Sequence, residues 1–166
     1  MPQYTGERYD QMPRDPKPGA SSTPCNAAAL RKAQRRLTQL YDTALEGCGL
    51  RSTQLTILVE LAGRAGQPPT MAELAVALVM DRSALGHNLR PLQRDGLVVL
   101  QEGDADRRRR HIVLTSRGKA KCQEALRRWR VAQDRFEQVF GQSEAAALRA
   151  TLLRIARDER LATLKD

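Results

Sequence analysis

Aromatic residues are scarce: the 166 residues hold one Trp, three Tyr and two Phe. Cysteine is scarcer than a secreted scaffold needs, with only Cys25, Cys48 and Cys122. Three scattered thiols argue against disulfide stapling and for reduced cysteines. The two histidines, His87 and His111, lie far apart and share no ligand spacing with those cysteines, so no metal site is expected. No apolar run reaches the ~18–20 residues that span a bilayer. Residues 1–24 lack the apolar segment of a signal peptide, and a cytoplasmic location is expected. No glycine-rich phosphate loop follows a strand, nothing matches a nucleophile elbow, and neither histidine has the setting of a catalytic base. Neither an enzyme nor a cofactor is therefore expected.

Positive charge is what the chain has in excess. Its 28 Lys and Arg against 19 Asp and Glu give a net charge of +9. The 41% hydrophobic content is enough for a core, and the length suits about one domain. Such a balance points to a polyanionic partner, nucleic acid first and an anionic membrane second. The charge is uneven. Residues 1–24 hold five of the eight prolines and equal numbers of acidic and basic groups, which reads as a disordered, neutral tail. Residues 82–117 carry eight basic and four acidic side chains, including the run Arg107, Arg108, Arg109 and Arg110.

From Asn26 the apolar period is helical, with Leu30, Ala33, Leu37, Leu40, Tyr41 and Ala44 on one side until Gly47 and Gly49. Ser52 is expected to cap a second helix bearing Leu55, Leu58, Val59 and Leu61. Pro68 and Pro69 break the chain, and Thr70 with Glu73 forms a capping box for a short helix over 71–78. Asp81 is expected to cap a further helix over about 82–95, bent slightly at Pro91 and ended by Gly96. The period then changes to two. Residues 97–100 and 111–114 are short apolar strands around a charged loop, a hairpin pattern. A long helix is expected from Thr115–Ser116 to about Phe140, and Ser143 is expected to cap a last one. Short helix, tight turn, second helix and hairpin make a winged helix-turn-helix. The fold class is mainly α with a small β-hairpin wing (α+β).

In a helix-turn-helix the start of the second helix faces base edges in the major groove. Arg82 can bond a guanine edge bidentately, Ser83 can donate or accept, and Ala84 can touch a thymine methyl. His87 can donate to a base or phosphate, or be a neutral histidine on the buried side; Arg90 lies further along. Gly86 costs helix stability and supplies only backbone, which suits close approach to a phosphate. In the wing, Arg107 to Arg110 suit the negative minor groove, with Asp106 as support. His111 is expected to be structural.

Three stretches carry a family resemblance: LRSTQLTILVELA at 50–62, TMAELAVALVMDRSALGHNLRPLQRDGLV at 70–98, and DRRRRHIVLTSRGKA at 106–120. Together they resemble the MarR family of bacterial transcription regulators. The resemblance implies one domain over 25–166, with dimerisation helices at about 26–47 and 116–162 and the winged unit at about 52–115. It also implies a homodimer on a palindromic operator, and matches the family's Asp-x-Arg wing motif to Asp106 and Arg108. Close relatives commonly carry Thr-Arg where this chain has Gly86-His87.

Many members are repressors released by a small aromatic or phenolic effector. The corresponding cleft here would draw on Leu37, Tyr41, Leu55, Leu58 and Val59, residues that any core also needs. Another branch senses oxidants through a cysteine at the first helix, where Cys25 lies and where a helix dipole favours thiolate; Cys48 could resolve a sulfenic acid. A winged-helix protein-interaction module without specific DNA binding is the third alternative.

Overall fold

The computed structural model describes residues 25–64, 66–102 and 109–162. Its elements run α1 (Asn26–Leu45), a 3₁₀ turn (Glu46–Cys48), α2 (Ser52–Gly63), α3 (Met71–Ala77) and α4 (Arg82–Arg94). Then come β1 (Val98–Glu102), β2 (Arg110–Leu114), α5 (Ser116–Phe140), α6 (Gln142–Arg157) and a closing 3₁₀ turn (Glu159–Ala162). The chain divides into two compact units between Leu37 and Thr38. The first is the N-terminal part of α1, where Leu30 is exposed and Leu37 half-buried. The second holds everything from Thr38 onward.

The core of the second unit is aliphatic. Leu45, Ile57, Leu58, Leu74, Leu85, Leu89, Leu92, Val98 and Ile112 are almost wholly buried. They come from α1, α2, α3, α4 and both strands, so one cluster holds the helices and the hairpin together. Each such side chain contributes ~1.5–3 kcal/mol on burial.

Helix starts differ in how they are capped. Thr70 and Glu73 form the expected box: Glu73 N–H donates to Thr70 Oγ1 at 3.3 Å, and Thr70 N–H donates to Glu73 Oε2 at 2.8 Å. Asp81 Oδ1 accepts from Ala84 N–H at 2.7 Å, and Thr115 Oγ1 accepts from Gly118 N–H at 2.9 Å. Ser52 does not cap α2. It is the first helical residue, and its N–H donates across the loop to Asp42 Oδ1 at 2.7 Å. Ser143 does not cap α6 either; the helix begins one residue earlier, after Gly141, whose φ of 99° suits a residue without a Cβ.

The strands pair antiparallel from Val98 opposite Leu114 to Glu102 opposite Arg110. Ile112 N–H donates to Pro69 O at 2.8 Å, and His111 Nδ1 lies 2.8 Å from Pro68 O. The wing is thus stitched to the segment entering α3. At its other side Leu97 N–H donates to Leu92 O at 2.8 Å, and Thr115 Oγ1 donates to Gly96 O at 2.8 Å. A Cβ at Gly118 would collide with the Leu97 carbonyl, so only glycine lets α5 sit this close to the wing root.

Candidate nucleic-acid interface

α4 separates its chemistry by face. Leu85, Leu89 and Leu92 enter the core, while Arg82, Ser83, His87 and Arg90 are exposed on the other side. Ala84 and Gly86 are half-buried between them. His87 therefore takes the exposed place, and the buried alternative does not occur. Asn88, on the same helix, is committed: its Nδ2 donates to Ala84 O at 2.8 Å.

Gly86 is unusual because nothing among the described residues asks for it. A Cβ built there meets nothing within 4 Å, and its φ is not positive. Glycine inside a helix costs ~0.8–1.0 kcal/mol against alanine. The fold gains nothing visible in return.

In the wing, Arg109 and Arg110 are exposed at the start of β2. Asp106, Arg107 and Arg108 lie outside the described residues. His111 is half-buried at the wing base, as its bond to Pro68 requires. Glu73 lies nearby. The Thr70 backbone and hydroxyl bonds hold its carboxyl below the ordinary range, with His111 and Arg109 adding to the effect.

Leu55 and Leu58 belong to the core, and Val59 is exposed. Tyr41 is half-buried and stacks on Trp129 with ring centroids 6.3 Å apart. Leu37 belongs to the N-terminal unit. Tyr41 also begins a polar chain that sequence reading missed. Its hydroxyl donates to Gln133 Oε1 at 2.6 Å, and Gln133 Nε2 donates to Glu137 Oε1 at 2.6 Å. Arg149 on α6 reaches the same Glu137 oxygen at 3.4 Å. Burial raises the Tyr41 phenol above its ordinary value.

Of the thiols, Cys25 is exposed just before α1. Cys48 is buried, and its Sγ donates to Leu45 O at 3.1 Å. Cys122 is buried in α5, and burial raises its thiol pKa. Among the described residues no cluster of His, Cys, Asp and Glu could hold a metal ion, and no helix is long and apolar enough to cross a membrane.

A capped short helix, a tight turn, a second helix with a basic outer face and a hairpin stitched to both define a winged helix-turn-helix. Known proteins agree. A MarR family model matches residues 49–109. The chain is 32% identical to the transcriptional regulator MosR of M. tuberculosis, solved in complex with DNA. That match has a TM-score of 0.73 and covers 84% of this chain and 99% of MosR. It is 27% identical to the transcriptional repressor CouR bound to a 23-mer DNA duplex, with a TM-score of 0.73 over 81% of this chain and 94% of CouR. CouR of Rhodococcus jostii RHA1 has also been solved with p-coumaroyl-CoA. No curated protein matches the sequence. The chain belongs to the MarR family and is a DNA-binding transcription regulator.

Proposed function

We propose that this protein is a homodimeric repressor that binds a palindromic operator and is released by a small effector. α4 enters the major groove, with Arg82, Ser83, Ala84 and His87 toward base edges and Arg90 toward the backbone. The wing arginines, Arg107 to Arg110, reach the adjacent minor groove, and Asp106 supports Arg108. The observation that carries this reading is the outer face of α4, where Gly86 interrupts a basic row at a helix-stability cost that the fold does not require. A backbone approached closely by phosphate or base explains that cost. The apolar surface of Val139, Phe140, Leu153 and Ile155 on α5 and α6 supports a dimer, since these side chains are exposed in the single chain. That MosR and CouR were each solved with DNA supports the mode of binding, and the p-coumaroyl-CoA complex of CouR supports an effector.

Gly86→Ala tests the reading. The added methyl has room, so the variant should unfold ~0.5–1 kcal/mol harder in denaturant. In fluorescence anisotropy on operator DNA it should bind at least ~tenfold more weakly, the effect of losing about 1.4 kcal/mol. Higher stability with unchanged DNA affinity would remove α4 from the interface.

A further inference from the structure

The N-terminal half of α1 carries four cations within six consecutive residues: Arg31, Lys32, Arg35 and Arg36. All four are exposed, and none forms an ion pair among the described residues. No acidic residue occurs between Asn26 and Tyr41. Asp42, the first acid along the helix, is already engaged: its Oδ1 accepts from Ser52 N–H at 2.7 Å, and its Oδ2 lies 3.5 Å from Arg51 Nη1. Other helices set acids one turn from their bases, as Glu60 with Arg64 in α2 and Glu124 with Lys121 and Arg128 in α5. In α1 the neighbours one turn apart are Arg31 with Arg35 and Lys32 with Arg36, like charges that oppose the helix. At ~100° per residue the four cations share one arc of ~140°. Leu30, Ala33 and Leu37 fall within ~60° of each other on the opposite side. Whatever covers that apolar side leaves the cations outside.

We propose that this face of α1 is a second contact for duplex DNA, made to the phosphate backbone without regard to sequence. Residues 31–36 span ~7.5 Å of helix. Duplex DNA carries one charge per ~1.7 Å of its axis, hence about four phosphates in that length. Four cations thus meet about four anions, and the repulsion among like charges within α1 is relieved on binding. Three of the four groups are guanidinium, which offers paired donors to a phosphate. A lipid surface fits less well. A helix lying with its apolar side in the headgroups turns the opposite side, where these cations are, toward water. The contact is additional to α4 and the wing. It rests on DNA being the protein's polyanion, but not on which residues of α4 read the bases.

The test is the salt dependence of binding to an unrelated duplex, read by fluorescence anisotropy on the full-length protein. Each phosphate neutralised adds ~0.9 to the log–log slope. The variant Arg31→Gln/Lys32→Gln/Arg35→Gln/Arg36→Gln is compared with Arg127→Gln/Arg135→Gln/Arg154→Gln/Arg157→Gln, which removes the same charge from exposed places on α5 and α6. That control is needed because any loss of net charge weakens binding to a polyanion. The α1 variant should give a slope at least ~2 units shallower than the control, and a smaller difference would overturn the proposal. Arg31→Gln/Arg35→Gln and Lys32→Gln/Arg36→Gln should each supply about half of the change. Circular dichroism and gel filtration can therefore reject a variant that has lost its fold or assembly while another still decides. Arg31→Lys/Arg35→Lys/Arg36→Lys keeps the charge and should keep the wild-type slope. Cosedimentation with vesicles of equal parts phosphatidylcholine and phosphatidylserine is the counter-test. Capture of the wild type that the fourfold α1 variant loses, with its DNA slope equal to the control's, would assign the face to lipid and overturn the proposal. Gly86→Ala removes no charge, so its operator affinity judges α4 while the salt slope judges α1, and either reading can fail alone.

Discussion

Val79 is the one described non-glycine residue with a positive φ, at 51°. It follows α3, where Met80 N–H donates to Ala75 O at 2.9 Å and Val79 N–H donates to Val76 O at 3.1 Å. This is the six-to-one and five-to-two bonding that usually ends a helix with glycine. α4 ends the same way, with Gly96 at φ 67° in the equivalent place. A β-branched residue there costs ~1–2 kcal/mol in left-handed backbone. Val79 is also 70% exposed, so its side chain returns little packing. Val79→Gly should therefore raise stability by ~0.5–1 kcal/mol after the extra chain entropy of glycine is subtracted, measured by urea unfolding. Nothing in the apolar spacing of 74–85 signals the strain, because periodicity reports burial and not φ. Glu73 gives a pH prediction at the same scale. Its folded carboxyl pKa lies below the ordinary 4.5, so its contribution is present above that value and lost as pH falls through the lower folded one. In thermal melts, Glu73→Gln should flatten the acid limb of the stability–pH profile; an unchanged limb would mean the box is not formed in solution.

At the scale of the element, local chemistry was legible and cross-chain chemistry was not. The Thr70–Glu73 box, the Asp81 cap, Pro91 inside α4 and the two strands follow from residues within a few positions of each other. Ser52 and Ser143 misled because a hydroxyl before an apolar run is a cap only if its residue stands outside the helix. Asp42, ten positions upstream, supplies an acceptor at the start of α2 instead. Gln133 was invisible for a similar reason. It is a polar residue in an amphipathic helix by sequence, yet it is buried, and it links Tyr41 of α1 to Glu137 of α5. Gln133→Leu should cost ~1–3 kcal/mol, because the Tyr41 hydroxyl loses its acceptor in a partly buried place. A lower melting temperature with an unchanged affinity for DNA is expected; an unchanged melting temperature would mean water replaces the bond at no cost. On α4, Arg82, Ser83, His87 and Arg90 all face outward, and of the two places the sequence left open for His87 the structure takes the exposed one. Leu55 and Leu58 serve the core, a use the sequence left open beside an effector cleft.

At the scale of the molecule, the net charge of +9 and the basic face of α4 belong to one account. An excess of like charge opposes folding and association unless a polyanion neutralises it. The exposed apolar residues of α5 and α6 support the proposed dimer, and a two-fold dimer reads a two-fold site. Both demands meet in one measurement. The purified protein is used to select from a library of random DNA duplexes, and the enriched sequences are read. The account predicts an inverted repeat whose half-sites lie about one helical turn, or ~10 base pairs, apart. A selection that enriches no sequence over unrelated DNA, or only an asymmetric single site, would contradict it.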